Sequence, residues 1–345
     1  MKILSLITHF QHVASWKNKT KVITDEIPSW GKIHRTVKAW KLAKIAPKYD
    51  CIIFFYDSLL LFIFCQLFRF RHPFKEKPVI IFTTFLCDVS RFNNFNFSFR
   101  GLYDAIRKLY YRIFINLCDK VVVHSTKEIL YYADTFKVSI NKFHFIPYFV
   151  RSDALVSQEE ENLIKSENYI ITAGRHRDLL TFINALKNSE IQGIIVCGAS
   201  DRKSLPNKLP DNISIFIEIP FHDYRKLIRR ASIVVVPLFR DKWIRSLGQI
   251  VTFEAIAKGI PVVASKSFQL TDYFISEEEI LFFEPGDAEH LRRQLHRIQT
   301  DETLRNLLTA SSYNKMMKLY TPQIYTSSIL KLAGNIKRPS KINKV

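Results

Sequence analysis

Cysteine is scarce in this chain of 345 residues, and its five cysteines show no metal-type pair spacing. They predict buried thiols in a reducing compartment rather than a disulfide framework or a zinc site. A Walker phosphate loop and a Ser-His-Asp order are also absent from the sequence. The first apolar run ends at His9 and Gln11, so we expect no signal peptide and a cytoplasmic protein. The five cysteines are Cys51, Cys65, Cys87, Cys118 and Cys197.

Glycine is also scarce, and its distribution is uneven. Of nine glycines, only Gly31 and Gly101 lie in the first 150 residues, whereas six lie between Gly174 and Gly286. Tight turns around a bound phosphate need glycine. The distribution therefore predicts that a phosphate-bearing ligand binds in the second half of the chain.

Acidic residues are the third shortage. The chain has 51 Lys and Arg against 32 Asp and Glu, and residues 1–150 hold 23 basic and 10 acidic residues. A basic face attracts acidic partners. Three interpretations compete: an anionic membrane surface, nucleic acid, and a solvated surface with no partner.

Aromatic residues interleaved with basic ones favour the membrane surface. The mixture recurs in residues 58–71, 91–100 and 107–115, and it is typical of a lipid interface. Residues 58–68 have a second interpretation, a buried helix of the first domain, and they are too short to span a bilayer. We expect a protein peripheral on the cytoplasmic face.

Apolar runs alternate with helical patterns along the whole chain, which predicts parallel α/β units in two domains. The polar stretch 153–167 is the expected linker between domains at 1–152 and 168–320, and the basic tail 335–345 is expected to be disordered. The predicted strands are Ile3–Ile7, Cys51–Tyr56, Val79–Phe82, Val121–His124, Phe143–Ile146, Ile170–Thr172, Gly193–Cys197, Ile213–Ile217, Ile233–Val236, Pro261–Ala264 and Ile280–Phe283.

The most informative stretch runs from Ser246 to Ser265. It predicts a loop opened by Gly248, a helix closed by Gly259 in a left-handed conformation, and a short apolar strand. A loop that leads into a helix N-terminus is a ready phosphate site, and Glu254 is spaced to reach a ligand there. The alternative is an ordinary loop-helix-strand unit.

This stretch resembles the signature of retaining glycosyltransferases of the GT-B fold, family 4 type (group 1). The second half of the signature matches from Glu254 through Gly259 and Pro261 to Ser265, whereas Ser246 replaces its first Glu. In that family the second Glu holds the ribose of the donor nucleotide, and the first lies near the donor sugar. The resemblance implies an α/β chain with two Rossmann-like domains whose parallel sheets face a central cleft.

Further segments resemble the family in the right order, from about residue 118 to residue 300. Gly174-Arg-His-Arg177 resembles the segment whose two basic residues hold the donor diphosphate. Arg175 and Arg177 are the candidates, and a planar guanidinium suits a phosphate. The alternative for each arginine is a loop cap or a solvated side chain. The implied donor-binding residues are Gly174, Arg175, Arg177, Ser246, Gly248, Gln249, Ile250, Val251, Thr252 and Glu254.

The chain departs from the family at the reacting end. It lacks the glycine-rich loop after the first strand, where His9 and His12 stand, and the His after the strand at 78–83. Asp88 is the titratable residue nearest that strand, and it is either a general base for the acceptor hydroxyl or the cap of a turn.

The resemblance implies a metal-independent hexosyltransferase that uses a UDP- or GDP-sugar as substrate and needs no cofactor. The first domain would bind the acceptor, a glycan or lipid-linked glycan, and a last helix at 321–334 would pack back towards it. Transfer would retain the anomeric configuration. Two alternatives stay open: a glycosyltransferase-like scaffold without activity, and a basic nucleic-acid-binding protein.

Overall fold

A computed structural model describes residues 2–6, 20–22, 34–55, 58–85, 87, 99–151, 154, 167–240 and 247–336. The chain divides into two units, Met1–Ile146 with Pro322–Val345, and Pro147–Thr321. The predictions made for His9, His12, Asp88 and Ser246 lie outside the described residues, as do most of the linker and the basic tail from residue 337.

The first unit contains a six-stranded sheet in the order β2-β1-β3-β4-β5-β6, with every neighbouring pair parallel. Its strands are β1 Ile3–Ser5, β2 Thr20–Val22, β3 Cys51–Phe55, β4 Val79–Thr83, β5 Lys120–Val123 and β6 Phe143–Phe145. Its helices are α1 His34–Ile45, α2 Ser58–Arg71, α3 Phe99–Leu117, α4 Thr126–Phe136 and the C-terminal α12 Pro322–Asn335, with short 3-10 turns at Ala46–Lys48 and Ile140–Lys142.

The second unit contains a parallel sheet in the order β12-β11-β10-β7-β8-β9. Its strands are β7 Tyr169–Ala173, β8 Gln192–Cys197, β9 Ile213–Ile217, β10 Ile233–Val236, β11 Val262–Ser265 and β12 Leu281–Phe283. Its helices are α5 Leu179–Leu186, α6 Ala199–Arg202, α7 Phe221–Arg230, α8 Gln249–Ile256, α9 Phe268–Thr271, α10 Ala288–Thr300 and α11 Glu302–Leu319. Numbered within the unit the order is 3-2-1-4-5-6, the doubly wound Rossmann arrangement.

Continuous apolar runs explain why these segments are central strands. All residues of β4, β7, β10 and β11 are buried, because helices cover both faces of a parallel sheet. Separate hydrophobic clusters form on the two sides of the second sheet, one around Phe253 and Tyr273 and the other around Phe182 and Phe283. The prediction of an α/β chain with two parallel sheets is confirmed.

Helix α2 decides between the two interpretations of the apolar segment at 58–68. Its residues Leu60, Leu61, Phe64 and Phe68 are buried, and Phe64 packs on Phe54 of β3 with ring centroids 5.4 Å apart. The segment is therefore a core helix of the first unit rather than an interfacial one. None of the described helices combines the length and apolarity needed to cross a bilayer.

Candidate functional site

The site lies at the carboxyl edge of the second sheet, beside β7, which with β10 forms the pair of strands where the strand order reverses. Ligands of doubly wound folds bind at this switch point. A cavity of about 350 Å³ opens there, at the ends of β7, β8 and β9. Its lining residues are Ala173, Gly174, Arg175, Arg177, Val196, Cys197, Gly198, Glu218, Ile219, Phe221, Tyr224 and Val251.

Gly174 follows β7 directly, at a position where both the backbone conformation and the available space favour glycine. Its φ is +114°, a conformation that side chains other than glycine rarely adopt. A Cβ atom on Gly174 would lie 2.8 Å from Nη2 of Arg177. Glycine therefore lets the turn close while leaving room for the guanidinium.

Arg177 is a buried cation at the wall of the cavity. It is only 7% exposed, and its Nε and Nη1 donate to the carbonyl oxygens of Ala173 and Arg175, each at 3.2 Å. Among the described residues no carboxylate forms an ion pair with it, although the Asp201 carboxylate acts on it at longer range, and burial lowers its pKa to about 10. A buried charge normally has a counter-charge, so the cavity holds positive charge suited to an anionic ligand.

Arg175 lies at the mouth of the same cavity. Its side chain is 72% exposed, and its Nη2 is 4.0 Å from Oε1 of Glu218. A Cβ on Gly198 would lie 3.4 Å from Nε of Arg175, so the arginine lies across this glycine at the end of β8. The two arginines thus differ, since Arg177 is fixed by backbone carbonyls and Arg175 is solvated.

Glu254 is buried on α8, and its partner is Arg225 of α7. The Nη2 and Nε atoms of Arg225 donate to Oε1 of Glu254 at 2.8 and 3.3 Å. The side chain of Glu254 is 4% exposed and that of Arg225 is 14% exposed. In the described part of the chain no hydrogen bond reaches Oε2 of Glu254, so this oxygen retains accepting capacity. Glu254 does not itself line the cavity.

Helix α7 brings two aromatic rings to the cavity. Phe221 and Tyr224 are stacked with centroids 5.6 Å apart and planes at 16°. The guanidinium groups of Arg225 and Arg151 lie 4.9 and 5.3 Å from the Phe221 centroid, within cation–π distance. Burial raises the pKa of the Tyr224 phenol, with Glu254 as a second cause.

The N-terminus of α8 supplies the remaining predicted residues. Gly248 precedes the helix with φ +94°, and a Cβ there would lie 3.1 Å from Cγ1 of Val236. Val251 reaches the cavity wall, whereas Ile250 is 47% exposed. Gln249 turns inward, and its Nε2 donates to the carbonyl oxygen of Gln269 at 2.9 Å.

Thr252 is fully buried on the same helix, and its hydroxyl has no hydrogen-bond partner in the described part of the chain. Farther along, the helix ends as the sequence predicts, because Gly259 has φ +65°. Gly259 N–H donates to the Ile256 carbonyl and Ile260 N–H to the Ala255 carbonyl, the pair of bonds in a Schellman motif.

The structure thus brings Gly174, Arg175, Arg177 and Val251 to one cavity, with Glu254 behind it. It does not bring the side chains of Gln249, Ile250 and Thr252 into the lining. Sequence reasoning missed Phe221, Tyr224 and Arg225. Their signal was positional, because they open the helix after the third strand of a Rossmann sheet.

Comparisons with known proteins concern the fold. Residues 175–330 match the protein family described as glycosyl transferase-like. HepE from Anabaena, solved in complex with UDP-glucose, is 14% identical with a TM-score of 0.66, covering 97% of this chain and 99% of that one. The chain has the GT-B fold.

Two further GT-B structures are similar. A glycosyltransferase from Rickettsia africae is 16% identical with a TM-score of 0.66, covering 96% of this chain and 97% of that one. Sucrose-phosphate synthase from Thermosynechococcus elongatus is 20% identical with a TM-score of 0.63, covering 85% and 78%. No curated protein matches the sequence. The matches give no support to the scaffold or nucleic-acid alternatives.

Proposed function

We propose that this GT-B chain is a glycosyltransferase that moves a sugar from a nucleotide-sugar donor to an acceptor. The observation that carries the proposal is Arg177, a buried cation with no carboxylate at ion-pair distance among the described residues, at the wall of a cavity beside the sheet's switch point. Arg225 and Arg297, by contrast, are in direct contact with carboxylates. A diphosphate would supply Arg177 with a counter-charge in direct contact.

Each part of the donor has a chemical match near the cavity. Arg177 and Arg175 would hold the diphosphate together with the N–H groups that open α8, since a helix N-terminus attracts anions. Oε2 of Glu254 would accept from a ribose hydroxyl, while Arg225 keeps the carboxylate in place. Phe221 and Tyr224 would pack against the nucleobase.

A UDP-sugar is the donor we favour, and a GDP-sugar is the second choice. HepE, which shares the fold over nearly its whole length, was solved with UDP-glucose and with UDP and glucose. The identity of 14% transfers the fold and not the ligand, so the donor base is part of the proposal. We propose the family 4 type and a hexosyl group on the sequence signature at 254–265.

Transfer would break the bond between the sugar C1 and the diphosphate and form a bond from C1 to an acceptor hydroxyl oxygen. The arginines and the helix N-terminus would stabilise the charge that develops on the departing diphosphate. They would thereby replace a metal ion, and no cofactor would be needed. The acceptor proton would pass to the leaving phosphate oxygen, or to Asp88 if that residue is the base. We propose retention of configuration and a glycan or lipid-linked acceptor.

Calorimetry with UDP, GDP, ADP, CMP and their sugar conjugates tests the proposal on the wild type, Arg177→Gln and Glu254→Gln. We expect one nucleotide family to bind the wild type and to bind both variants more weakly. Glu254→Gln is preferred to alanine because the amide oxygen still accepts from Arg225. Release of free nucleotide on incubation with the bound donor then tests turnover. Binding to no nucleotide would contradict the proposal.

A further inference from the structure

Helix α3 presents an apolar stripe to solvent. Leu102, Ile106, Leu109 and Ile113 are 61%, 58%, 56% and 42% exposed. Their spacing of four, three and four residues puts them on one face of the helix. The four side chains, called the α3 stripe below, extend about 16 Å along the axis at 1.5 Å per residue.

The α3 stripe is not a misplaced core face, because the opposite face of the helix already packs. Phe114 and Ile115 are fully buried. The Phe114 ring lies edge-on to Phe82 of β4 at 4.7 Å and stacks on Phe85 at 5.8 Å. The helix therefore has two apolar faces, and only one of them meets the sheet.

One cation borders the α3 stripe directly. At about 100° per residue, Arg112 lies on one side of the stripe and Tyr103 on the other, whereas Arg107 and Lys108 lie farther round the helix, nearer its packed face. Arg112 is exposed, and Tyr103, 60% exposed, lies 5.5 Å from the Arg107 guanidinium. The sequence of α3 contains a single acid, Asp104. The surface thus combines aliphatic, aromatic and cationic groups.

We propose that the α3 stripe docks on the surface of an anionic lipid bilayer. The aliphatic side chains would enter the boundary between headgroups and acyl chains, and the cations of α3 would contact lipid phosphates. The charge of the chain fits this partner, since residues 1–150 hold 23 basic and 10 acidic residues. The inference is independent of the proposed transferase activity. It retains α3, which contains the predicted segment 107–115, as the membrane contact and excludes the buried helix α2.

A second copy of this chain is a poorer occupant. Two α3 helices packed on their stripes would bring Arg112 of both copies to the edge of the interface without a matching acid. Four aliphatic side chains also fall short of the roughly 1,200 Å² that a stable dimer interface buries. Nucleic acid would satisfy the cations, but it would leave the aliphatic side chains in water.

Flotation of the full chain with vesicles tests the proposal. The vesicles contain phosphatidylcholine alone or with about 30 mol% phosphatidylglycerol. The test variant is Leu102→Gln with Ile106→Gln and Leu109→Gln, which keeps helix-forming residues on α3. The matched control changes three exposed apolar residues of α11 in the same way, Leu307, Met317 and Leu319, which are 51%, 37% and 43% exposed. A further variant, Lys108→Gln with Arg112→Gln, removes the positive charge from one side of the helix.

We expect wild type and the α11 control to bind the anionic vesicles, and the α3 triple variant to bind on the order of tenfold more weakly. The charge variant should lose its preference for phosphatidylglycerol. Circular dichroism checks that each variant folds. Equal binding by the triple variant would overturn the proposal. So would a wild-type dimer that the triple variant dissociates, or tight binding to single-stranded RNA in place of vesicles.

Discussion

Replacing Arg177 by Gln tests whether this cation binds the ligand or stabilises the fold. The fall in its pKa from 12.5 to about 10 on folding corresponds to about 3 kcal/mol of unfavourable free energy for the charged form. Both values lie well above neutral pH, so this penalty is constant near pH 7. Opposing it are two hydrogen bonds to carbonyl oxygens, worth about 1.5 kcal/mol or more each for a charged donor.

These terms nearly cancel, so Arg177→Gln should change the free energy of unfolding of the ligand-free protein by less than about 1 kcal/mol. Its effect on ligand binding should be large. Loss of a charged hydrogen bond to phosphate, at about 1.5–3 kcal/mol, weakens the affinity for the nucleotide diphosphate by roughly 10- to 150-fold. Urea unfolding without ligand and titration calorimetry with UDP measure the two quantities.

A matched control is Arg292→Gln. Arg292 also donates to two backbone carbonyls, those of Ala185 and Asn184 at 2.9 and 2.8 Å, but it is paired with Glu289 and lies outside the cavity. We expect unchanged UDP binding in this variant. If Arg177→Gln instead unfolds more easily by about 3 kcal/mol or more and binds UDP normally, the arginine holds the turn after β7. The reasoning from the absence, among the described residues, of a carboxylate in direct contact with Arg177 would then be wrong.

Three further predictions concern backbone, ion pair and pH. Gly174 has φ +114°, and a Cβ there would clash with the buried guanidinium, so Gly174→Ala should destabilise the fold and abolish UDP binding in calorimetry. Gly259 has φ +65° and open space around it. Gly259→Ala should therefore destabilise the fold by about 1 kcal/mol and bind UDP normally. Glu254→Ala strands the buried Arg225 charge and should cost about 3 kcal/mol in urea unfolding, more than Glu254→Ala combined with Arg225→Met; equal losses would contradict this. Burial lowers the pKa of His124 from 6.5 to about 4. Above pH 6.5 the imidazole is neutral in both the folded and the unfolded state, and the fold has its full stability. As the pH falls from 6.5 towards 4, only the unfolded state takes up the proton, so the fold loses stability. Wild type should lose roughly 2 kcal/mol more than His124→Gln between pH 7 and pH 5, and parallel losses would refute this.

The sheets could be predicted because buried parallel strands appear in the sequence as unbroken runs of apolar residues. The central strand β10, for example, reads Ile-Val-Val-Val, and it has the predicted bounds. β2 was missed because it has three residues, Thr-Lys-Val, and pairs with one neighbour at the edge of the sheet. An edge strand of this length has no apolar run, and its position depends on β1.

The site could be predicted only in part, because a sequence signature indicates the local conformation of the chain and not the contacts between distant segments. Gly259 was found because a left-handed helix end needs glycine, and Gly174 was found because residues 174–177 resemble a family segment. Arg225 was not found, because its function depends on Glu254, 29 residues away on a separate helix. Nothing in the helical spacing of α7 indicates which face meets a buried carboxylate.

Helix α3 shows a related limit of the apolar period. Leu102, Ile106, Leu109 and Ile113 repeat with helical spacing, and the same spacing in α2 marks a core face. The helical spacing of apolar residues predicts that one face of a helix is apolar. Whether that face packs on the protein core or meets solvent or lipid depends on the rest of the chain. In α3 the sheet is already covered by Phe114 and Ile115. A second apolar face on such a helix has no protein core left to fill, and the exposed Arg112 beside it therefore indicates what it meets instead.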